Sequence, residues 1–444
     1  MRVGITGASG LIGRALAQAL HERAWVAVPL PRRPETRQLE TLDAVVHLAG
    51  ESIDGRWTQA KKTEIRRSRV DGTRALVLAL AACRTKPRVL VSASGVGYYG
   101  DRGAEPLVET SRPGNDFLAA VCQQWEREAL AAQSLGMRTV VLRTGVVLAR
   151  DGGALPKMAR PFAFGAGGPL GSGRQFVPWI ALDDIVGLYL FALETDTLRG
   201  AVNAVSPDVA TNARLAQALG AAIHRPALLP APPFALRAML GEFAGTVLGS
   251  QLVLPSVASS AGYAWRERRL ETALQHIFDP HAAGPSPLLH AFASRQFVPL
   301  PIDDVFAFFS DARNLQAITP PSLHFTVTGG AGAIRDGSVI DYALRLHGMP
   351  LSWKTLIAEW NGPHRFVDVQ LRGPYALWEH EHTFVEVHGG TVIGDAVTYA
   401  LPFAPLSALV QPFVRRDVEQ IFRYRREEIT QRFIAGPPPI AVAS

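Results

Sequence analysis

The sequence predicts an α/β fold over residues 1–277, built on a doubly wound parallel sheet with a small cap lobe, followed by a separate C-terminal α+β domain. Three observations support this prediction. Short apolar strands alternate with amphipathic helical segments from the first residues onward, which is typical of a parallel sheet. A proline-rich linker interrupts the chain at 278–289. Beyond it, alternating strand patterns precede one long helical segment.

The stretch 2–13 joins an apolar strand to a helix through three glycines. The first permits a tight turn, the second lets the backbone approach a pyrophosphate, and the third lets the helix pack closely on the strand. The helix N-terminus that follows can bind phosphate. Strand, glycines and helix together predict a dinucleotide site. The predicted cofactor-binding residues in this stretch are Thr6, Gly7, Ser9, Gly10, Leu11, Ile12 and Gly13.

The end of the second predicted strand, 25–30, indicates which dinucleotide is preferred. A fold that prefers NAD usually carries an acid about 20 residues past the glycines, to hold the ribose 2′-hydroxyl. Here the position carries Arg32, with Arg33 beside it. Either could pair with a 2′-phosphate, so NADP is favoured. The alternative is a pair of solvated arginines in a proline-rich loop.

The elements after this strand continue the alternation. Only about ten residues separate Arg33 from the strand at 44–50, fewer than a helical crossover needs, so one usual strand is expected to be missing or rudimentary. His47 is expected to be a strand residue near the cofactor rather than a catalyst. The loop 94–100 gathers hydroxyls where open α/β sheets bind ligands. Further predicted segments are helices 61–82 and 116–132, strands 88–92 and 139–148, a glycine-rich lid or connector at 165–173, and the cap at about 203–277.

Composition excludes several classes of protein. The 444 residues are 48% hydrophobic and 19% charged, too apolar for a disordered chain. The formal net charge of +6 is spread along the sequence, so nucleic-acid binding is not predicted. Cys83 and Cys122 lack metal-ligand spacing and indicate a reducing compartment. No signal peptide or spanning apolar run of about 18 residues is visible, so we expect a cytoplasmic protein without an integral membrane segment.

These motifs resemble the extended short-chain dehydrogenase/reductases, and within them an atypical branch labelled epimerase family protein, of the NAD-dependent epimerase/dehydratase type. The likeness covers 1–277. It implies a Rossmann domain that binds NADP(H) and a small substrate lobe, and it adds Leu48, Ala49 and Gly50 to the cofactor-binding residues. The motifs that carry it are 6–13, 47–51, 94–101, 171–175, 179–185, 203–207 and 224–226.

The usual catalytic machinery of that family is only partly matched. In typical members a serine polarises a substrate oxygen, and a tyrosine, its pKa lowered by a lysine four residues on, transfers a proton during hydride transfer. Ser94 matches the serine. Aligning the helix on Glu126 places Leu118 at the tyrosine position and Cys122 at the lysine position. Cys122 is expected to be a small buried hydrophobe rather than a nucleophile.

The family needs the lysine because an unperturbed tyrosine has a pKa of about 10, too high for a good base near neutrality. Since Leu118 and Cys122 replace the tyrosine and lysine here, a different acid is needed if the protein is catalytic. Tyr98 or Tyr99 is expected to form an alternative acid pair with Ser94, which makes these three the predicted catalytic residues. Lys61 or Arg69 could supply positive charge. The alternative is that both tyrosines only line the pocket or pack against the nicotinamide.

The C-terminal domain is predicted at 290–436, before a tail at 437–444. Its order is a strand, a short helix, alternating strands and a final helix at about 406–433. Gly389-Gly390 predicts a hairpin between 378–387 and 391–399. Alternation places Ile340, Tyr342, Leu344 and Leu346 on one strand face, and Leu351, Trp353, Thr355 and Ile357 on one face of the next. In the last helix, Val410, Phe413, Val418, Ile421 and Phe422 are expected to face the sheet and Arg415, Arg416, Arg423 and Arg426 to face solvent.

This half resembles the START-like helix-grip superfamily (SRPBCC), which includes polyketide cyclase/dehydrase and lipid-transfer proteins. The resemblance implies a hydrophobic ligand pocket and no common catalytic set. His380 and His382 share one strand face, but the sequence identifies no third metal ligand, so an ordinary polar cluster and no metal are predicted. The motifs that carry the resemblance are 300–306, 314–321, 378–384, 395 and 399–403.

Two hypotheses about function follow. The first is an NADP(H)-dependent oxidoreductase or epimerase-like enzyme that acts on a small carbonyl or hydroxyl compound, with a hydrophobic ligand in the C-terminal domain. The second is a non-catalytic NADP-binding module coupled to binding of a lipid-like ligand, and it is motivated by the missing tyrosine and lysine. The family resemblance also implies a homodimer that forms through helices 61–82 and 116–132.

Overall fold

The structure, a computed structural model, describes residues 1–279, 289–330, 332–402 and 410–433. The chain divides into two compact units, Met1–Gly284 and Pro285–Ser444, each of which has its own hydrophobic core. Most of the linker predicted at 278–289 and all of the tail predicted at 437–444 lie outside the described residues. Within the described ranges, every helix is too short or too polar to cross a bilayer.

The first unit is built on a Rossmann-like parallel sheet with helices on both faces, as predicted. Its strands are β1 (Arg2–Thr6), β2 (Val26–Leu30), β3 (Ala44–His47), β4 (Val89–Gly95), β5 (Pro106–Leu107), β6 (Arg138–Thr144), β7 (Val146–Leu148), β8 (Trp179–Ala181), β9 (Gly200–Ala204) and β10 (Leu252–Val253). Its helices are α1 (Leu11–Glu22), α2 (Thr36–Leu39), α3 (Gln59–Ala81), α4 (Phe117–Leu130), α5 (Leu155–Ala163), α6 (Leu182–Glu194), α7 (Asn212–Ala222), α8 (Pro233–Leu240), α9 (Phe243–Leu248), α10 (Ser256–Ser260) and α11 (Leu270–Phe278).

Six strands form the main sheet, in the order β2-β1-β3-β4-β6-β9, and all neighbours are parallel. Because both faces are covered, the strands read as continuous apolar runs and not as alternating ones. Ile5, Val46 and Val91 bury against α1 and α6 on one face, and Val45 and Leu90 pack with α3 on the other.

The edge of this sheet confirms that one strand is missing. Between β2 and β3 the chain makes only the single turn α2, so β2 is the last strand on this side among the described residues. A second expectation needs correction. The strand predicted over 139–148 is two strands, because the chain turns at Gly145 and β7 leaves the main sheet to pair with β8. A Cβ at Gly145 would lie 2.7 Å from the Pro178 carbonyl oxygen, so only glycine fits this bend.

A buried ion triad joins three segments of the cap. Arg214 of α7 donates to both carboxylate oxygens of Asp208 and to both of Glu271 at the start of α11, and all three side chains are buried. Each guanidinium edge is thus bidentate, which is the strong geometry for such pairs. The glycine-rich segment 165–173 is also tied to the cap, through backbone hydrogen bonds to Leu229 and Ala231.

The second unit is a seven-stranded antiparallel sheet with one long helix. Its sheet order is β11-β17-β16-β15-β14-β13-β12, where the elements are β11 (His290–Val298), α12 (Ile302–Phe309), β12 (Thr326–Gly329), β13 (Val339–Leu346), β14 (Met349–Asn361), β15 (Arg365–Arg372), β16 (Leu377–Val387), β17 (Gly390–Ala400) and α13 (Gln411–Phe433). The predicted hairpin is confirmed, with Val387 paired to Gly390 and the turn at His388 and Gly389, one residue earlier than expected.

The face of α13 that meets the sheet differs partly from the expectation. Val418, Phe422, Arg425 and Ile429 are its buried residues. Phe413, expected on this face, is 71% exposed because it lies nine residues, about 180° of helix rotation, from Phe422. Val410 is also exposed, since it precedes the helix. The predicted helix start at 406 lies outside the described residues. Arg415, Arg416, Arg423 and Arg426 are exposed, as expected.

Candidate functional site

The glycine turn lies at the carboxyl end of β1, where its backbone is too crowded for side chains. Gly7 has φ +72°, and a Cβ there would lie 3.0 Å from the Ala49 nitrogen. A Cβ at Gly13 would lie 2.3 Å from the Gly7 carbonyl oxygen, because α1 packs directly on the turn. Gly10 donates to that same oxygen at 3.0 Å and precedes the first residue of α1. The turn therefore presents the N-terminus of α1 at the edge of the sheet, close to the predicted segment 48–50.

His47 connects β1, β3 and α3 at this end of the sheet. It lies opposite Thr6 in the sheet, with Nδ1 2.7 Å from the Thr6 hydroxyl and Nε2 2.9 Å from the Thr73 hydroxyl of α3. Burial lowers the pKa of His47 to about 4. The imidazole is therefore neutral near pH 7 and holds β1, β3 and α3 in place, as a strand residue and not an exposed acid or base.

Positive charge surrounds the mouth of the turn. Lys61 of α3 pairs with Glu51 at 2.9 Å, and the hydrogen bond from Lys61 lowers the pKa of that carboxyl, with smaller contributions from the charges of Arg32 and Arg69. Arg69 also donates to the Glu51 carbonyl at 2.8 Å. Arg32 and its neighbour Arg33 are exposed just after β2. Three cations around one carboxylate leave net positive charge on this rim.

A second polar group lies at the ends of β4, β6 and β9. Ser94, Arg143 and Asn203 are directly opposite one another across these strands. The Ser94 hydroxyl donates to Glu126 of α4 at 2.7 Å. Arg143 donates through Nε and Nη2 to the two oxygens of Glu126, at 2.9 and 2.8 Å, and both side chains are buried. The pairing of β4 with β6 therefore places Ser94 beside Arg143. The bidentate ion pair of Arg143 with Glu126 holds the carboxylate to which the Ser94 hydroxyl donates.

The two predicted tyrosines differ sharply in their surroundings. Tyr99 is fully buried, and its hydroxyl bonds to Asn203 at 2.7 Å and to Arg143 at 2.9 Å. Burial raises the pKa of Tyr99 to about 12, although Arg143 opposes this. Tyr98 is half-buried, and its ring lies 3.5 Å from the Arg143 guanidinium carbon. No hydrogen bond among the described residues uses the Tyr98 hydroxyl, so this group remains available to a ligand.

The positions of the missing tyrosine and lysine are occupied by apolar packing. Leu118 and Cys122 are buried on the face of α4 that packs beside Gly97. Burial raises the pKa of Cys122 to about 12, so the thiol is protonated and is not a nucleophile at neutral pH. The charge of Arg69 acts on Cys122, and its guanidinium carbon lies 5.2 Å from the Trp125 ring.

The second unit contains an apolar cavity of about 160 Å³ between the sheet and α13. All eight residues predicted to share two strand faces line it, from Ile340 to Ile357. Its polar end is formed by Asp368, His380, His382 and Arg425. The sequence pointed to the two histidines, but not to Asp368 or Arg425, which other elements bring to them.

Comparison with known proteins concerns the first part of the chain. Residues 3–204 match the NAD dependent epimerase/dehydratase family, and 231–277 match a domain of unknown function, DUF1731. The chain is 38% identical over 293 residues to an epimerase family protein of Mycobacterium leprae. This match covers 62% of this chain and 94% of that protein. It is likewise 38% identical over 293 residues to mouse epimerase family protein SDR39U1, with 62% of this chain and 99% of that protein covered.

Two solved structures are similar to the same part. The structure of human epimerase family protein SDR39U1 (isoform 2) with NADPH has a TM-score of 0.59 and 36% identity, and covers 63% of this chain and 99% of that chain. A nucleoside-diphosphate sugar epimerase from Corynebacterium glutamicum has a TM-score of 0.53 and 32% identity, and covers 63% of this chain and 58% of that chain.

The burial of His47 gives a pH-dependent stability. An unfolded histidine titrates near 6.5, whereas His47 titrates near 4, so the unfolded chain binds the extra proton between these values. The contribution of His47 to stability is complete above pH 6.5 and should fall by about 3 kcal/mol on acidification to pH 4. The measurement is the urea unfolding free energy against pH. His47→Gln should flatten this part of the profile, and the exposed control His21→Gln should not. Equal slopes for wild type and His47→Gln would contradict the assignment.

Proposed function

The chain belongs to the epimerase family proteins, and from this premise we propose that its first unit binds NADP(H) and acts as an oxidoreductase or epimerase-like enzyme on a small carbonyl or hydroxyl compound. The observation that carries the proposal is the glycine turn, whose backbone at Gly7 and Gly13 excludes side chains and presents the N-terminus of α1. That arrangement binds the pyrophosphate of a dinucleotide.

The choice of NADP(H) over NAD(H) rests on charge. Arg32 and Arg33 follow β2, at the position where an acid would hold an unphosphorylated ribose. Arg32 also acts on Glu51, which places its charge at the mouth of the glycine turn. The 2′-phosphate of NADPH would pair with these guanidinium groups. The human relative solved with NADPH supports the same choice.

The chemistry is proposed to use Tyr98 as the proton donor. The Tyr98 hydroxyl makes no hydrogen bond among the described residues, and the Arg143 guanidinium lies against the Tyr98 ring. Tyr99 is less suited, because its hydroxyl is buried and bonded to Asn203. The Ser94 hydroxyl donates a hydrogen bond to Glu126, so in this arrangement its oxygen can accept a hydrogen bond from substrate. The bound NADPH would supply or take back hydride.

A second candidate function is a non-catalytic NADP-binding module. The observation that favours it is the apolar packing of Leu118 and Cys122 at the positions of the family's tyrosine and lysine. Such a module would couple the cofactor to ligand binding in the second unit, and linkage requires reciprocal affinities. If ligand affinity is the same with and without NADPH, this version fails.

For the second unit we propose a helix-grip domain of the START-like type over 290–436 that holds a hydrophobic ligand. The sheet, the long α13 and the apolar cavity between them support this proposal. Tethering would keep the ligand at an effective concentration on the order of millimolar for the first unit. We further propose that the protein forms a homodimer through α3 and α4, which size-exclusion chromatography can test.

Substitution of Gly13 tests the cofactor site. Gly13→Ala should weaken NADPH binding at least about tenfold, because its Cβ would displace the Gly7 carbonyl and open the turn. The matched control is Gly72→Ala in α3, where a Cβ meets nothing within 4 Å. This control should bind NADPH like the wild type. The measurement is the Kd from NADPH fluorescence titration, and unchanged affinity in Gly13→Ala would argue against the site.

Deuteride transfer tests the activity itself. The full chain is incubated with 4-deuterated NADPH and a small-molecule cell extract, and products are searched for label by mass spectrometry. A labelled product is expected, and Tyr98→Phe should lower its rate by about 10² to 10⁴ fold with NADPH binding retained. Tyr99→Phe should chiefly lower stability, since its hydroxyl is structural. Absence of label from a chain that binds NADPH would favour the non-catalytic module, or an epimerase that returns its hydride internally.

A further inference from the structure

Three potential metal ligands converge at the polar end of the cavity in the second unit. His382 Nε2 lies 3.0 Å, and His380 Nδ1 lies 3.5 Å, from the same oxygen, Asp368 Oδ2. Donor atoms bound tetrahedrally at about 2.1 Å from a metal are separated by roughly 3.4 Å. Two of the three pairs of protein atoms are close to this spacing, and all three atoms lie within 4.8 Å of one another. We propose that Asp368, His380 and His382 bind one divalent first-row transition metal, such as Zn²⁺.

Sheet register explains why the three side chains meet. Asp368 in β15 lies directly opposite His380 in β16. His382 is two residues further along β16, so its side chain is on the same face of the sheet. The three positions are therefore fixed by strands and not by a loop, and one ligand atom from each lies within 4.8 Å of the others. Sites built on rigid elements hold ligand geometry most precisely.

A fourth residue, Asp395 of β17, lies close to both imidazoles. Its Oδ1 lies 2.9 Å from His380 Nε2 and 3.4 Å from His382 Nδ1, which are the nitrogens facing away from Asp368. Metal-bound histidines commonly donate their second ring N–H to a carboxylate, which fixes the tautomer and the orientation of the ring. Asp395 offers that partner to His380, whereas His382 Nδ1 also lies 3.4 Å from Nη2 of Arg425, a group that can only donate. The arrangement thus supplies ligands and their supports together.

The cluster contains two carboxylates, Asp368 and Asp395, and one guanidinium, Arg425. Asp395 lies 3.4 Å from the guanidinium of Arg425, which balances its charge. Asp368 has no Lys or Arg within 4.0 Å in the part of the chain that the structure describes, and its close partners are the two histidines. Buried charges are paired or coordinate metals. A divalent metal held by the two imidazoles would pair with the Asp368 carboxylate.

The three ligands all line the cavity, so a bound metal would have an open coordination position facing it. The cavity of about 160 Å³ is close to the size of an engineered apolar cavity, about 150 Å³, that binds benzene. The walls here are aromatic, including Trp353 and Tyr375. The ligand class that fits is therefore a compound of about one aromatic ring with an oxygen that reaches the metal.

The test is metal binding by the full chain after treatment with a chelator and dialysis. Zn²⁺ should bind with one equivalent per chain at this site, measured by calorimetry, and Co²⁺ should give visible d–d absorption. Asp368→Asn and His382→Gln should each weaken Zn²⁺ binding about 100-fold or more. Asp395→Asn should weaken it by about 10 to 100 fold, as expected for a residue that orients the ligands.

The matched control is His347→Gln, which removes an exposed histidine of the same unit, paired with Asp417 at 2.8 Å. It should bind Zn²⁺ like the wild type. Circular dichroism and thermal unfolding establish that each variant is folded, and the two ligand variants provide independent tests if one is not. The proposal is overturned if the wild type takes up no stoichiometric metal, or if uptake persists undiminished in folded Asp368→Asn and His382→Gln.

Discussion

The candidate site of the first unit depends on one buried ion pair, between Arg143 at the end of β6 and Glu126 of α4. Removing either partner from such a pair costs about 3 to 5 kcal/mol, because the other charge is left buried and unpaired. This pair holds Ser94 through Glu126 and contacts both adjacent tyrosines through Arg143. This polar network therefore stabilises the fold. Of the Ser94, Tyr98 and Tyr99 hydroxyls, only that of Tyr98 makes no hydrogen bond among the described residues.

This constraint changes how the family chemistry can operate in this chain. The usual tyrosine and lysine would project from α4, but here that face packs Leu118 and Cys122 into the core. In the proposed chemistry the proton donor is instead Tyr98, in the loop after β4, where the Arg143 guanidinium lies against its ring. The cofactor side is unaffected, because the glycine turn depends on β1, α1 and the segment at Ala49. The glycine turn and the residues proposed for proton transfer therefore lie on different structural elements.

Local patterns predicted much of this architecture. The glycine turn, the short crossover before β3 and the alternating faces of β13 and β14 each depend on residues close in sequence, and the structure confirms them. Contacts between residues on different strands could not be predicted from such local patterns. Asp368 reaches His380 only through the register of β15 with β16, so the sequence pointed to the two histidines, as an ordinary polar cluster, and not to the third member of that cluster. Phe413 was placed on the wrong helix face because the phase of α13 is set by its contacts with the sheet.

The central claim is that the first unit binds NADP(H) and that Arg32 and Arg33 bind its 2′-phosphate. The most direct measurement is the pair of dissociation constants of the full chain for NADPH and NADH, titrated at one salt concentration. The account predicts that NADPH binds at least about tenfold more tightly, a difference of about 1.4 kcal/mol. Equal affinities, a preference for NADH, or no binding of either cofactor would contradict it.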